Sequence, residues 1–236
     1  FPIIFRERSG EKLMPWTAGK SMMGGHIDSL RNPLSLVKDL LKGFSVLPTL
    51  SAAIFILAAF IGSGISSVFL PVLYINNLGW EPDIYSQIIG MPGTMVEFCG
   101  ALLGGYLADR IGKRKIIAAG YGAYGLLAIT FGIFSDYWTN SFVSTTYLII
   151  NQGCISFGTV AVFSLFMQIS WTRAAATMFT SYMAMANLST IMGTRLAGRL
   201  DDILSYNSIF VLVGLVSILP LGLLVLINPD RMIKLK

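Results

Sequence analysis

The chain has 236 residues, of which 54% are hydrophobic and only 12% charged, with a formal net charge of +5. At a mean hydropathy of +0.70 it carries too little polar surface to enclose a soluble globule of this size. The basic residues gather at the ends of long apolar blocks, so they read as a topology signal and a contact for anionic lipid, with no case for nucleic acid.

In chain order, the sequence opens on Phe1-Pro2-Ile3-Ile4-Phe5 without a Met and turns basic at once. This reads as the cytoplasmic end of an earlier span, and hence as part of a longer polypeptide. A polar loop from Arg6 to Gly25 follows, and just beyond it stands the only histidine, His26, read as a surface residue rather than a ligand or base. Next comes a short amphipathic helix. Asn32 caps it, Pro33 suits its first turn, Gly43 ends it, and Leu34, Val37, Leu40, Leu41 and Phe44 make its apolar face. With Lys38, Asp39 and Lys42 opposite, it should lie in the membrane interface, the reading weighed against a groove-binding partner helix.

Six apolar runs then reach the roughly 20 residues that a bilayer-spanning helix requires: 47–75, 82–108, 116–135, 142–170, 174–200 and 208–227. They are continuous rather than alternating, which predicts helices and not barrel strands. The expected architecture is therefore all-α and polytopic, with a cytoplasmic segment over 1–46 and a six-helix transmembrane bundle over 47–236. All but Arg195 and Arg199 of the 17 basic residues fall on one face if the segment before the first span is cytoplasmic, so both termini are expected inside. Cys99 and Cys154 sit within runs as small apolar residues, with no disulfide framework or zinc spacing. No metal or cofactor is implied. Motifs of membrane hydrolases are missing from the spans, which points away from an enzyme.

Small residues mark several faces: Gly62, Gly64, Ser66 and Ser67 in the first run, Gly120, Gly122 and Gly125 in the third, and Gly193, Ala197 and Gly198 in the fifth. In lipid these allow backbones to approach. The cluster from Gly62 to Ser67, followed by Pro71, also allows the first helix to bend.

The polar residues inside the runs are the functional candidates. Glu97 lies near the middle of the second run, where a lone carboxylate costs several kcal/mol unless it is protonated, paired or facing a water-filled cavity. It is either a coupling group in a cavity or a protonated hydrogen-bonding group within the bundle. Asn151, Gln152 and Asn187 can line the same cavity or act as interhelical amide contacts. Arg195 can meet an anionic group, pair with Asp201 or Asp202, or snorkel outward.

Between the second and third runs stands Gly105-Tyr106-Leu107-Ala108-Asp109-Arg110-Ile111-Gly112-Lys113-Arg114-Lys115, a dense charged turn. Here Gly105 allows close helix approach, Gly112 a tight reversal, and Asp109 can accept from a helix N-terminus. This stretch resembles the loop signature of the major facilitator superfamily of secondary transporters, G-x-L-A-D-R-x-G-[RK]-[RK]-[RK]. Looser likenesses connect the stretches 69–80, 174–198 and 6–16 to the AmpG-type muropeptide permeases and their acetyl-CoA transporter relatives. The resemblance implies the C-terminal six-helix half and central cytoplasmic loop of a twelve-helix permease in a bacterial cytoplasmic (inner) membrane. It also implies a symporter carrying an anhydromuropeptide inward with protons. The missing N-terminal half would come from the same parent chain, a separate chain or a second copy. Gly105, Asp109, Arg110, Gly112, Lys113 and Arg114 would then work at the interface between the halves. A scaffold or signal transducer that keeps the fold without transport is the alternative.

The orientation is testable. A cysteine placed at Lys113 should resist a membrane-impermeant thiol reagent added outside intact cells and react once the membrane is opened; labelling from outside would reverse the assignment.

Overall fold

Continuous apolar blocks offer no alternating face to a sheet, and throughout the described residues the chain is helical with no strand. The computed structural model describes residues 40–170 and 175–227, which belong to one unit, Leu40–Lys236. The polar loop and His26 lie outside them, as do the basic residues Arg173, Arg231, Lys234 and Lys236 counted in the topology signal. Of the amphipathic helix only its end is described, helical from Leu40 to Phe44. Leu41, expected on the apolar face, is 64% exposed, whereas the Phe44 ring packs edge-on against Tyr182 at 5.3 Å.

Six long helices follow, one for each apolar run: α1 (Leu47–Asn77), α2 (Pro82–Ile111), α3 (Lys113–Ile133), α4 (Ser141–Ile169), α5 (Ala175–Leu200) and α6 (Tyr206–Val225). All but α5 are long and apolar enough to cross a membrane. At 26 residues α5 has the length, but Thr177, Thr180, Asn187, Thr190, Thr194 and Arg195 dilute its apolar character. Each of the six expected runs is thus a long helix, and α5 differs from the other five in its mixed polarity.

Local sequence explains the irregularities. Pro71 removes a backbone donor within α1, and the helix widens to a π turn at Leu73–Asn77 before reversing at Gly79, whose φ of +68 suits glycine. Pro92 sits inside a second π turn, Ile89–Gly93, in α2. The Asn140 side chain caps α4 by accepting from the Phe142 amide at 3.0 Å.

The main packing pairs are α1 with α5 and α6, α4 with α2 and α3, and α3 with α6. Advancing each helix by three, so that α1 becomes α4, α2 becomes α5 and α3 becomes α6, maps this set of pairs onto itself. Successive helices run antiparallel, so the two halves of the bundle form an inverted repeat. Through these pairs the helices follow one another in space as α5, α1, α6, α3, α4 and α2, so that α5 and α2 stand at the two ends.

Two aromatic-rich cores divide the bundle by depth. One surrounds Phe55, Tyr121, Phe166 and Tyr182, where α1, α3 and α5 begin and α2, α4 and α6 end. The other surrounds Tyr74, Tyr124, Phe131, Tyr147 and Phe210 toward the opposite end. There Phe131 stacks on Tyr147 at 3.7 Å, and the Trp138 indole N–H donates to the Phe131 carbonyl at 2.8 Å, closing the α3–α4 loop.

Glycines set the interhelical distances. A Cβ on Gly193 would meet the Ile61 carbonyl and the Gly64 Cα, one on Gly100 the Gly153 carbonyl, and one on Gly214 the Gly125 carbonyl. These are the α5–α1, α2–α4 and α6–α3 contacts, and the first two are equivalent under the repeat. Glycine to alanine therefore has opposite effects at two neighbouring sites on α5. Gly193→Ala should cost about 1–3 kcal/mol by overpacking. Gly198→Ala meets nothing within 4 Å and should be neutral or stabilising by up to about 1 kcal/mol through helix propensity. Thermal unfolding in detergent checks both.

Candidate functional site

The charged turn is shorter than its sequence suggests. The α2 helix runs on through Asp109 and Arg110 to Ile111, and α3 starts at Lys113, leaving Gly112 as the single residue between them. The reversal rests on its φ of +113, open to glycine and strained for other residues. The α2 helix ends on the Gly112 amide donating to the Ala108 carbonyl at 3.1 Å, and α3 starts with the Lys115 and Ile116 amides on the Gly112 carbonyl. No side chain caps α3. Asp109, expected to accept from a helix N-terminus, is instead an exposed residue of the last turn of α2. Continuing the helix through the motif carries its carboxylate away from those amides.

The basic run occupies the first turn of α3, where the helix dipole opposes positive charge. Lys113 escapes part of that penalty by reaching across to α4, its Nζ donating to the Ser164 carbonyl at 3.0 Å, near the favourable C-terminal end of that helix. Arg110 lies over the Tyr106 ring, 4.8 Å from its centroid, one turn back on α2. Between this turn and Leu165 and Gln168 of α4 opens a polar cleft of about 330 Å³ that includes Asp109, Arg114 and Lys115. Gly105 lies beside α4, a Cβ there meeting Val160 at 3.3 Å, so close approach holds at this position.

The structure separates the polar residues of the spans rather than gathering them in one cavity. Glu97 is exposed on α2, without a hydrogen bond or ion pair among the described residues. One turn before it, a Cβ on Gly93 would come 3.9 Å from the side chain of Gln152, so Gln152 faces α2 across the α2–α4 seam. Asn151, its neighbour in sequence, is turned inward and buried, with Oδ1 lacking a partner. Asn187 and Arg195 are exposed on α5. Eight residues apart, they stand about 80° from each other around α5, and neither lies on the Gly193 side that meets α1. Arg195 makes no ion pair with Asp201 or Asp202, which removes pairing from the readings open for it.

Sequence reasoning missed a buried hydroxyl group. Ser66, Tyr124 and Tyr147 sit on three helices with hydroxyls lacking partners. Ser66 had been read only as a small packing residue. The available signal was the placing of Tyr124 and Tyr147 inside apolar runs, where a phenol needs a polar neighbour.

A family model described as Major Facilitator Superfamily matches residues 49–235. No curated protein and no solved structure matches the chain.

The single-residue turn makes a prediction. Gly112→Ala places a Cβ at positive φ with open space around it, so strain alone acts. It should cost about 1–3 kcal/mol, read as a lower unfolding temperature, while the neighbouring Ile111→Val leaves it nearly unchanged.

Proposed function

We propose, from the premise that the chain belongs to the major facilitator superfamily of membrane transporters, that its six helices form one wall of an alternating-access solute path. In this reading α5 and α2, the two ends of the series, face a second six-helix bundle, and the path runs between the bundles. The observation that carries it is the state of α2. Only 11% of its most apolar window is buried, against at least 39% for the other helices apolar enough to span, and it holds the unpartnered carboxylate of Glu97. Apolar residues such as Met95, Phe98 and Leu102 can face lipid, but a carboxylate at that depth needs water or a partner. A second bundle supplies both by enclosing an aqueous cleft.

The end of the bundle that holds Lys42, Arg110, Lys113, Arg114 and Lys115 is assigned to the cytoplasm. The opposite end carries Glu81, Asp83, Asp136, Asp201 and Asp202, with only Arg199 at its edge and Arg195 two turns in. In this arrangement Asp109 and Arg110 stand at the cytoplasmic edge of α2, where they would engage the second bundle and hold one access state. Glu97 is proposed as the proton-coupling group, with Gln152 beside it and Asn187 and Arg195 along α5 as polar contacts. The substrate class proposed from the looser likeness is an anhydromuropeptide, taken up across the cytoplasmic membrane.

The test is uptake of anhydromuropeptide by vesicles carrying the full-length protein, driven by an imposed pH gradient. Glu97→Gln should abolish gradient-driven accumulation while leaving solute exchange intact. Unchanged accumulation would remove Glu97 from coupling, and an absence of uptake in the unmodified protein would remove the muropeptide.

A further inference from the structure

More than one turn from a helix end, the described spans hold only two charged residue types, Glu97 on α2 and Arg195 on α5. They differ in what they can do about their charge. Glu97 can take up a proton, whereas a guanidinium stays charged at any working pH. At that depth its charge has to be met by water and a group of opposite sign.

The other basic side chains near the bundle show how such a group is usually settled. Arg110 lies over the Tyr106 ring, and Lys113 donates to the Ser164 carbonyl. Arg195 is exposed and has no hydrogen bond, ion pair or ring contact among the described residues. Asp201 and Asp202 follow closely in sequence, yet neither pairs with it, and Asp201 lies beside the Tyr206 phenol instead. Glu97 stands at another depth. By helical rise Arg195 is about 30 Å along α5 from Ala175, while Glu97 is about 21 Å along α2 from Ile111, both counted from the end that holds the charged turn. Nor is snorkelling favoured here. Side chains lean toward the N-terminus of their helix, and α5 begins at the charged-turn end. The stem of Arg195 therefore leans toward the middle of the span, against the direction that leads to the nearer headgroups. One turn beyond it Gly198 leaves open space, a Cβ there meeting nothing within 4 Å.

We propose, resting on the solute path described above, that Arg195 is the anion-recognising residue of that path and that the solute it takes carries an oxyanion, a carboxylate or a phosphate. The planar fork of a guanidinium matches two oxygens of such a group at once. Asn187, about 12 Å nearer the middle along α5, is then placed for a neutral part of the same solute. The two charged residues divide the work. Arg195 offsets the negative charge of the solute while it is bound, and a proton carried at Glu97 travels with it. An anion moving inward runs against a membrane potential that is negative inside, and a proton moving with it cancels that charge.

Charged thiol reagents test the selectivity directly. In the full-length protein with Cys99→Ser and Cys154→Ser, Ile191→Cys places a thiol one turn before Arg195 on the exposed side of α5. Opened membranes are treated with two reagents of equal size and opposite charge, each rate being taken relative to that on a free thiol. The negative reagent should react several-fold faster. Arg195→Gln should abolish that preference and Arg195→Lys retain it; a preference indifferent to Arg195→Gln would overturn the proposal. Both rates come from the same protein, so a change in its folded amount cancels. Equal rates with Arg195 present would show its charge already neutralised by the second bundle and overturn the proposal, as would no reaction with either reagent. If the Gln variant does not fold, the preference should be weaker at Ala184→Cys, two turns farther from Arg195, and an equal preference at both positions would overturn the proposal. Glu97→Cys separates this from the reading beneath it. If that thiol reacts while Ile191→Cys shows no preference, the path stands and the anion site falls; if it too is inert, the path falls and the anion site with it.

Discussion

Backbone-to-backbone approach at glycine is the constraint on which the bundle depends. Lipid removes the hydrophobic drive that joins helices in water, so association relies on contacts close enough for dispersion forces to accumulate. Gly64 against Gly193, Gly100 against Gly153 and Gly125 against Gly214 supply that closeness at three seams. Two of these seams are equivalent under the repeat that relates α1–α3 to α4–α6, and the third lies on its axis. The same packing solution serves both halves, which accounts for a bundle whose sequence halves need share little beyond small residues at corresponding depths.

The repeat also explains which surfaces remain open. The helices α1 and α4 each pack against two main neighbours, whereas α2 and α5 end the series and show their outer faces. On α2 that leaves Glu97, and on α5 it leaves Asn187 and Arg195. Polar groups thus concentrate on the helices that the bundle covers least. A self-sufficient bundle would place them inward; under the proposed function they stand where a second bundle would meet this one.

Much of this was legible because the controlling signals are local. Run length fixed the helices, Gly112 marked the reversal, and basic residues distinguished the two ends. Four things were not legible, each for a physical reason. The charged motif read as a loop because charge and apolarity change there, but helix propensity carries α2 through Asp109 and Arg110 to Ile111. Asn151 and Gln152 read as one polar pair because sequence adjacency hides the 100° step of a helix, which sends one to the interior and the other to the α2 seam. The glycines of α2 and α4 that face each other were passed over, since partners so far apart in sequence announce nothing until the helices are paired. Ser66 looked like a spacer for the same reason: its significance lies in two phenols on other helices.

The single residue between α2 and α3 has a mechanical consequence. A longer loop would absorb a tilt of α2 as slack, but one glycine leaves almost none, and the Lys113 side chain anchored on α4 stiffens the corner further. Under the proposed alternating access, a displacement of α2 would therefore reach α3 through this corner. In that reading the corner would serve as the elbow of a crank between one rod and the bundle behind it.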